Sequence, residues 1–217
     1  MTKNIFLSFI FIISPFLHLS AESDHSFSSN KVIFYLIRHG QTDWNVEKRI
    51  QGQLPVVLNE IGRQQAAAKG ALLQEIPFDA CYSSDLPRAY ETAQIITQNR
   101  DLEVRAESRI RERHRGKWQG HLEIEYSAAP QEDKMDTETD PMMCERIFHF
   151  LNEIVKKHQN ETVLIVTHEQ VIGNIVKELL HLDCHAVEIA VQHTGALLLE
   201  YCDGQLKIKE LNGIVLP

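Results

Sequence analysis

The chain has 217 residues, 43% hydrophobic and 24% charged, which is enough for one domain of ordinary size with its own core. Its net charge of −8 sets aside a general nucleic-acid binder, because phosphate backbones are held by clustered Lys and Arg. No internal repeat, glycine-rich nucleotide loop or coiled-coil heptad is present.

The first stretch reads apart from the rest. Lys3 precedes the apolar run Ile5-Phe6-Leu7-Ser8-Phe9-Ile10-Phe11-Ile12-Ile13, Pro15 and His18 interrupt the segment after it, and Ala21 closes it. A positive start, a short apolar centre and a small residue before a polar sequence describe an export signal. The run is short of the roughly 20 apolar residues that a membrane span needs. We expect an export signal over 1–21, a polar Ser-rich tether over 22–30 and a single domain over 31–217, in a periplasmic or secreted protein. A retained N-terminal membrane anchor is the second reading, and the only membrane contact expected. Export would expose Cys81, Cys144, Cys184 and Cys202 to an oxidising compartment; four cysteines allow three pairings, and buried thiols or at most one bridge are expected.

Val32-Ile33-Phe34-Tyr35-Leu36-Ile37 is the kind of apolar, partly β-branched run that makes a strand buried on both faces. Charge begins where it stops, at Arg38-His39-Gly40-Gln41-Thr42-Asp43-Trp44-Asn45, and the carboxyl end of a parallel strand faces the ligand crevice of an open α/β sheet. Arg38 offers a planar fork matched to phosphate oxygens, and His39 can be a base, a metal ligand or a nucleophile. Gly40 would bare backbone N–H groups to an incoming anion. Asn59 can cap a helix carrying Ile61, Ala68, Leu72 and Ile76, with Pro77 as its stop. Phe78 to Tyr82 reads as a second strand. After it Ser84 or Asp85 suits an N-cap, Pro87 the first turn, and Arg88 then stands where free N–H groups favour an anion.

Leu102 to Ala106 alternates as a third strand and leads into Glu112 and Gly116-Lys117-Trp118-Gln119-Gly120. Arg105, Arg109, Arg111, Arg113 and Arg115 alternate along the same segment and can supply part of a basic pocket. His121 to Asp140 is polar and acidic, and helical spacing resumes through Ile147, Phe150, Leu151 and Ile154. Thr162 to Thr167 is the most strand-like segment, His168 sits at its end, and Val171, Ile172, Ile175, Val176, Leu179 and Leu180 form the apolar face of the next helix. Asp203-Gly204 between two apolar runs is a hairpin signal. His181, Asp183, Cys184 and His185 lie close together, but no Cys-x-x-Cys spacing supports them, so no metal is expected.

Arg38-His39-Gly40-Gln41-Thr42-x-Trp44-Asn45, Leu58 to Ala66, Tyr82-Ser83-Ser84-Asp85-Leu86-x-Arg88-Ala89 through Thr92-Ala93, Glu112 with Gly116-x-Trp118-x-Gly120, and His168 occur in an order that resembles the histidine phosphatase, or phosphoglycerate-mutase-like, superfamily. The resemblance runs from Lys31 to about Ile208. It implies an α/β fold, a three-layer α/β/α sandwich whose mostly parallel sheet has an antiparallel edge strand. It also implies that His39 is the nucleophile taking up the phosphoryl group and that Glu112 is the proton donor to the leaving oxygen. Arg38, Arg88 and His168 are implied as catalytic phosphate binders, and Thr42, Asn45, Gln51 and Gly52 as further phosphate or substrate contacts. Glu169-Gln170 departs from the pattern, since many relatives have glycine after the second histidine. The activity implied is a metal-independent phosphomonoesterase acting on a small phosphorylated metabolite, with no cofactor. A cofactor-dependent mutase and a non-catalytic phosphate-binding module are the alternatives; the short acidic segment, without paired arginines to retain an intermediate, counts against the mutase.

Overall fold

Six strands form one sheet in the order β3-β2-β4-β1-β5-β6. In the computed structural model, which describes residues 30–182, 187 and 189–216, these are β1 (Val32–Arg38), β2 (Ala80–Ser83), β3 (Val104–Ala106), β4 (Thr162–Thr167), β5 (Ala190–Cys202) and β6 (Gln205–Val215). The export signal and nearly all of the tether lie outside the described residues, as do three members of the weighed metal cluster, Asp183, Cys184 and His185. β1 pairs in parallel with β4, and β2 pairs in parallel with β3 and β4. β5 runs antiparallel to β1 and β6 to β5, so the hairpin around Asp203-Gly204 closes the sheet with an antiparallel edge, as expected.

Helices cover both faces, as parallel strands require. Here α1 is Asp43–Val46, α2 Glu60–Leu72, α3 Pro87–Thr97, α4 Glu123–Ala128, α5 Asp140–Lys157 and α6 Glu169–Leu179. On one face Ile147, Phe150 and Ile154 of α5 and Val171, Ile172 and Ile175 of α6 pack on Phe34, Leu36, Val163 and Ile165. On the other, Ala89, Ala93 and Ile96 of α3 and Leu73 after α2 pack on Ile37, Cys81, Leu164 and Val166. Each fully buried Leu, Ile or Phe contributes roughly 1.5–3 kcal/mol, so these two clusters hold the layers together.

Local chemistry sets the element ends. Asn59 caps α2 by accepting from Gly62 N, and Thr139 caps α5 by accepting from Met142 N. Asp203 and Gly204 at the β5–β6 turn have φ of 51° and 84°, as a two-residue hairpin demands. Three expectations are corrected. α2 forms, but it stops at Leu72, well before Pro77. It buries Gly62 and Ala66, while Ile61 and Leu72 face solvent. The stripe chosen by size was the wrong one because α2 approaches the loop after β1 so closely that only small residues fit. At α3 the N-cap is Leu86, without a side-chain cap; Ser84 and Asp85 are engaged elsewhere.

Candidate active site

The registers put the ends of three parallel strands side by side. Arg38 lies level with Thr167, and Ser83 with Val166. His39 N donates to Thr167 O at 2.9 Å and Ser84 N to Val166 O at 2.9 Å, extending the ladder one step past the strands. His39 therefore leaves β1 beside His168 leaving β4, with ring centroids 5.2 Å apart.

His39 is buried, and its Nδ1 lies 2.6 Å from Gly40 O. A carbonyl only accepts, so Nδ1 carries the proton and Nε2 keeps its lone pair. Arg88 Nε donates to that Nε2 at 3.3 Å, which agrees with the same tautomer. Arg88 is wholly buried, and donates its other nitrogens to Gly52 O at 2.7 Å and Leu54 O at 3.1 Å. His168 Nε2 meets Ser84 Oγ at 2.8 Å, while its buried Nδ1 has no hydrogen-bond partner. Burial, followed by the charge of Arg88, holds both imidazoles well below the usual histidine pKa. Both are therefore neutral at ordinary pH.

Gly40 plays a different part from the one its backbone freedom suggested. Its N–H donates to Thr92 Oγ1 at 3.1 Å and is not open to an anion. A Cβ on Gly40 would strike Gly62 O, and one on Gly62 would strike Gln41 O, so this glycine pair lets α2 close against the loop. Thr42 and Asn45 form the capping box of the short α1: Thr42 N and Oγ1 donate to Asn45 Oδ1 at 3.1 and 2.9 Å. Gln51 is buried, and its Oε1 has no partner. Gly52, with φ of 49°, gives its carbonyl to Arg88.

Glu112 approaches from the loop after β3, where it is only partly buried. Its Oε1 accepts from Arg113 N at 2.7 Å, its Oε2 lies 3.5 Å from Gln170 N in the first turn of α6, and its charge acts on Arg88. The basic pocket expected from the alternating arginines does not form from them. Arg109 is bound to Glu107 and Glu153, Arg111 to Asp85 and Arg113 to Asp140, while Arg105 lies near Glu103. Arg115 donates to Tyr126 Oη.

Several further residues join this site through contacts that the sequence did not foretell. Ser84 orients His168, and Thr92 ties Gly40 to α3 by also donating to Arg88 O at 2.6 Å. Glu169 bonds Arg38 at 3.1 Å and accepts from Val191 N at 3.1 Å, while Arg38 also donates to Val191 O. Burial raises the Glu169 pKa against the opposing pull of Arg38. His193 is brought in by a bulge in β5: the register shifts between Val191 and Ala196, and Thr194 has φ of 56°. Its ring lies 6.4 Å from that of His39, its Nε2 is buried without a partner, and burial together with Arg38 lowers its pKa to about 4. The break in apolar alternation at Gln192-His193-Thr194 was its only trace.

Known proteins share this arrangement of elements. A family model described as histidine phosphatase superfamily (branch 1) matches residues 34–213. Phosphoglycerate mutase-like protein 4 of Arabidopsis thaliana is 39% identical over 155 residues, 64% of this chain and 67% of that protein. A metal-independent phosphoserine phosphatase of the same plant is 38% identical over 156 residues, 64% of this chain and 65% of that protein, so the chain spans about two thirds of the length of these relatives. The native structure of a mycobacterial glucosyl-3-phosphoglycerate phosphatase superposes with a TM-score of 0.74 at 27% identity, over 84% of this chain and 99% of that one.

Proposed function

The chain belongs to the histidine phosphatase superfamily, branch 1, and from that premise we propose that it is a phosphomonoesterase that hydrolyses small phosphate esters through a phosphohistidine on His39. One observation carries the reading: His39 is buried and neutral, with Nδ1 fixed on Gly40 O and the Nε2 lone pair facing a buried arginine. Nε2 attacks phosphorus in line and the ester P–O bond breaks; Glu112 gives its proton to the departing alkoxide. Water then attacks the phosphohistidine, Glu112 takes the proton back, and inorganic phosphate leaves. Arg38, Arg88 and the free Nδ1 of His168 face the equatorial oxygens, where negative charge accumulates. Fixed cations at those oxygens do the electrostatic work that a divalent ion does in other phosphatases. Thr42 and Asn45 hold the loop in shape, and Gln51 presents a buried polar end toward the same region.

Rapid-quench labelling with radioactive substrate tests the nucleophile. The wild type is expected to give acid-labile label and His39→Ala none; label surviving in His39→Ala would move the role to His168. We also propose export, supported by Lys3, the apolar run after it and Ala21. N-terminal sequencing of the protein from its native cell is expected to begin just after Ala21, and a start at Met1 or Thr2 would exclude it.

A further inference from the structure

Resting on the phosphatase reading above, we infer that Glu169 is a specificity-determining residue that turns the site toward monoesters whose alcohol carries no negative charge, amino alcohols foremost. The leaving oxygen must come within hydrogen-bond reach of Glu112, and the Glu112 carboxylate is docked on the first turn of α6, at Gln170 N. Glu169 is the adjacent residue on that turn. Its carboxylate is held by Arg38 and Val191 N, yet its side chain keeps 30% of its exposure. Glu112 and Glu123 both bear on it with like charge. The alcohol portion of the substrate, leaving from Glu112, therefore departs beside the part-exposed Glu169 carboxylate.

Few charges of the β3 loop and α5 are left to answer an anionic alcohol. Arg109, Arg111 and Arg113 of the β3 loop and Arg146 of α5 are each tied to a carboxylate: Glu107 and Glu153, Asp85, Asp140, and Glu138. Arg38 is divided between Glu169 and Val191 O. His193, the other group beside Arg38, is neutral at ordinary pH. A carboxylate on the alcohol would meet repulsion from Glu169, with Arg115 the one arginine of the β3 loop among the described residues whose partner is a tyrosine hydroxyl rather than a carboxylate, whereas an ammonium would be drawn in.

Phosphoethanolamine and O-phosphoserine differ by one carboxylate, which makes them the deciding pair. The full-length protein is expected to show kcat/KM for phosphoethanolamine about tenfold or more above that for phosphoserine, the discrimination that one like charge imposes at a half-buried site. Most of the difference should lie in KM. The methyl ester of phosphoserine, which keeps the bulk and removes the charge, should recover most of the loss in the wild type. Glu169→Gln, which still accepts from Val191 N, should bring the ratio to within about threefold. 4-Nitrophenyl phosphate is run alongside. If it is hydrolysed while phosphoserine equals or exceeds phosphoethanolamine, the inference fails and the phosphatase reading stands. A ratio unchanged in Glu169→Gln, or a methyl ester as slow as phosphoserine, also removes it. If no ester is hydrolysed, the phosphatase reading falls and takes the inference with it.

Discussion

A histidine in water is half protonated near pH 6.5 and is then useless as a nucleophile. His39 escapes this because burial and two arginines make the cation costly, while the Gly40 carbonyl keeps the proton on the far nitrogen. Glu112 stands differently, partly open to water so that protons can arrive and leave. We predict that Glu112→Gln slows alkyl esters by about 10²–10⁴-fold, the usual worth of a positioned acid. The loss should be much smaller for aryl phosphates, whose phenolate departs without help. Equal impairment of both kinds of ester would show that Glu112 does not protonate the leaving group. His39, Arg38, Arg88 and His168 were legible in the sequence because each stands where an apolar run or a helix start fixes its place. The contacts of Ser84, Thr92 and His193 were not, since they depend on how distant segments come together: Ser84 meets His168 across 84 positions of sequence.

Among the elements, the bulge in β5 is what brings the His193 ring to 6.4 Å from that of His39. It carries the chain from Val191, paired with Ile214, to Ala196, paired with Asn212, and passes through a left-handed Thr194. A β-branched residue with φ of 56° is strained by about 1–3 kcal/mol, and glycine relieves this at a cost of about 0.5–1 kcal/mol in chain entropy. Thr194→Gly is therefore expected to raise the melting temperature by about 2–4 °C. Calorimetry checks this; a variant less stable than the parent would mean that Thr194 is unstrained. Strand existence, order of elements and the Asp203-Gly204 turn could all be read from patterning. The bulge could not, because a two-residue period says nothing about where it is broken. The buried face of α2 was likewise hidden, since Gly62 and Ala66 matter there by being small.

For the molecule as a whole, three histidines held neutral couple the site to acid stability. The folded pKa values of His39 and His168 are well below the usual value, and that of His193 is about 4, whereas the unfolded chain takes up these protons near 6.5. Below that pH the unfolded state binds more protons, so stability falls as pH falls. The slope approaches about 4 kcal/mol per pH unit near pH 5. Urea midpoints measured between pH 7 and 5 should drop steeply, and a flat profile would show that the histidines charge inside the folded protein. The sheet order has a temporal side as well. β1 is made early, yet its neighbours are β4 and β5, with Ile33 set against Thr162 on one side and Glu200 on the other. At about 5–20 residues per second of synthesis, the central strand waits many seconds for either partner. Until then its row of apolar side chains has no sheet to join, and His39 at its tip has Arg38 as its chain neighbour but neither Arg88 nor His168 packed against it. On the export proposed above, a chain whose central strand waits this long for its partners would be threaded through a translocation pore before its sheet is assembled.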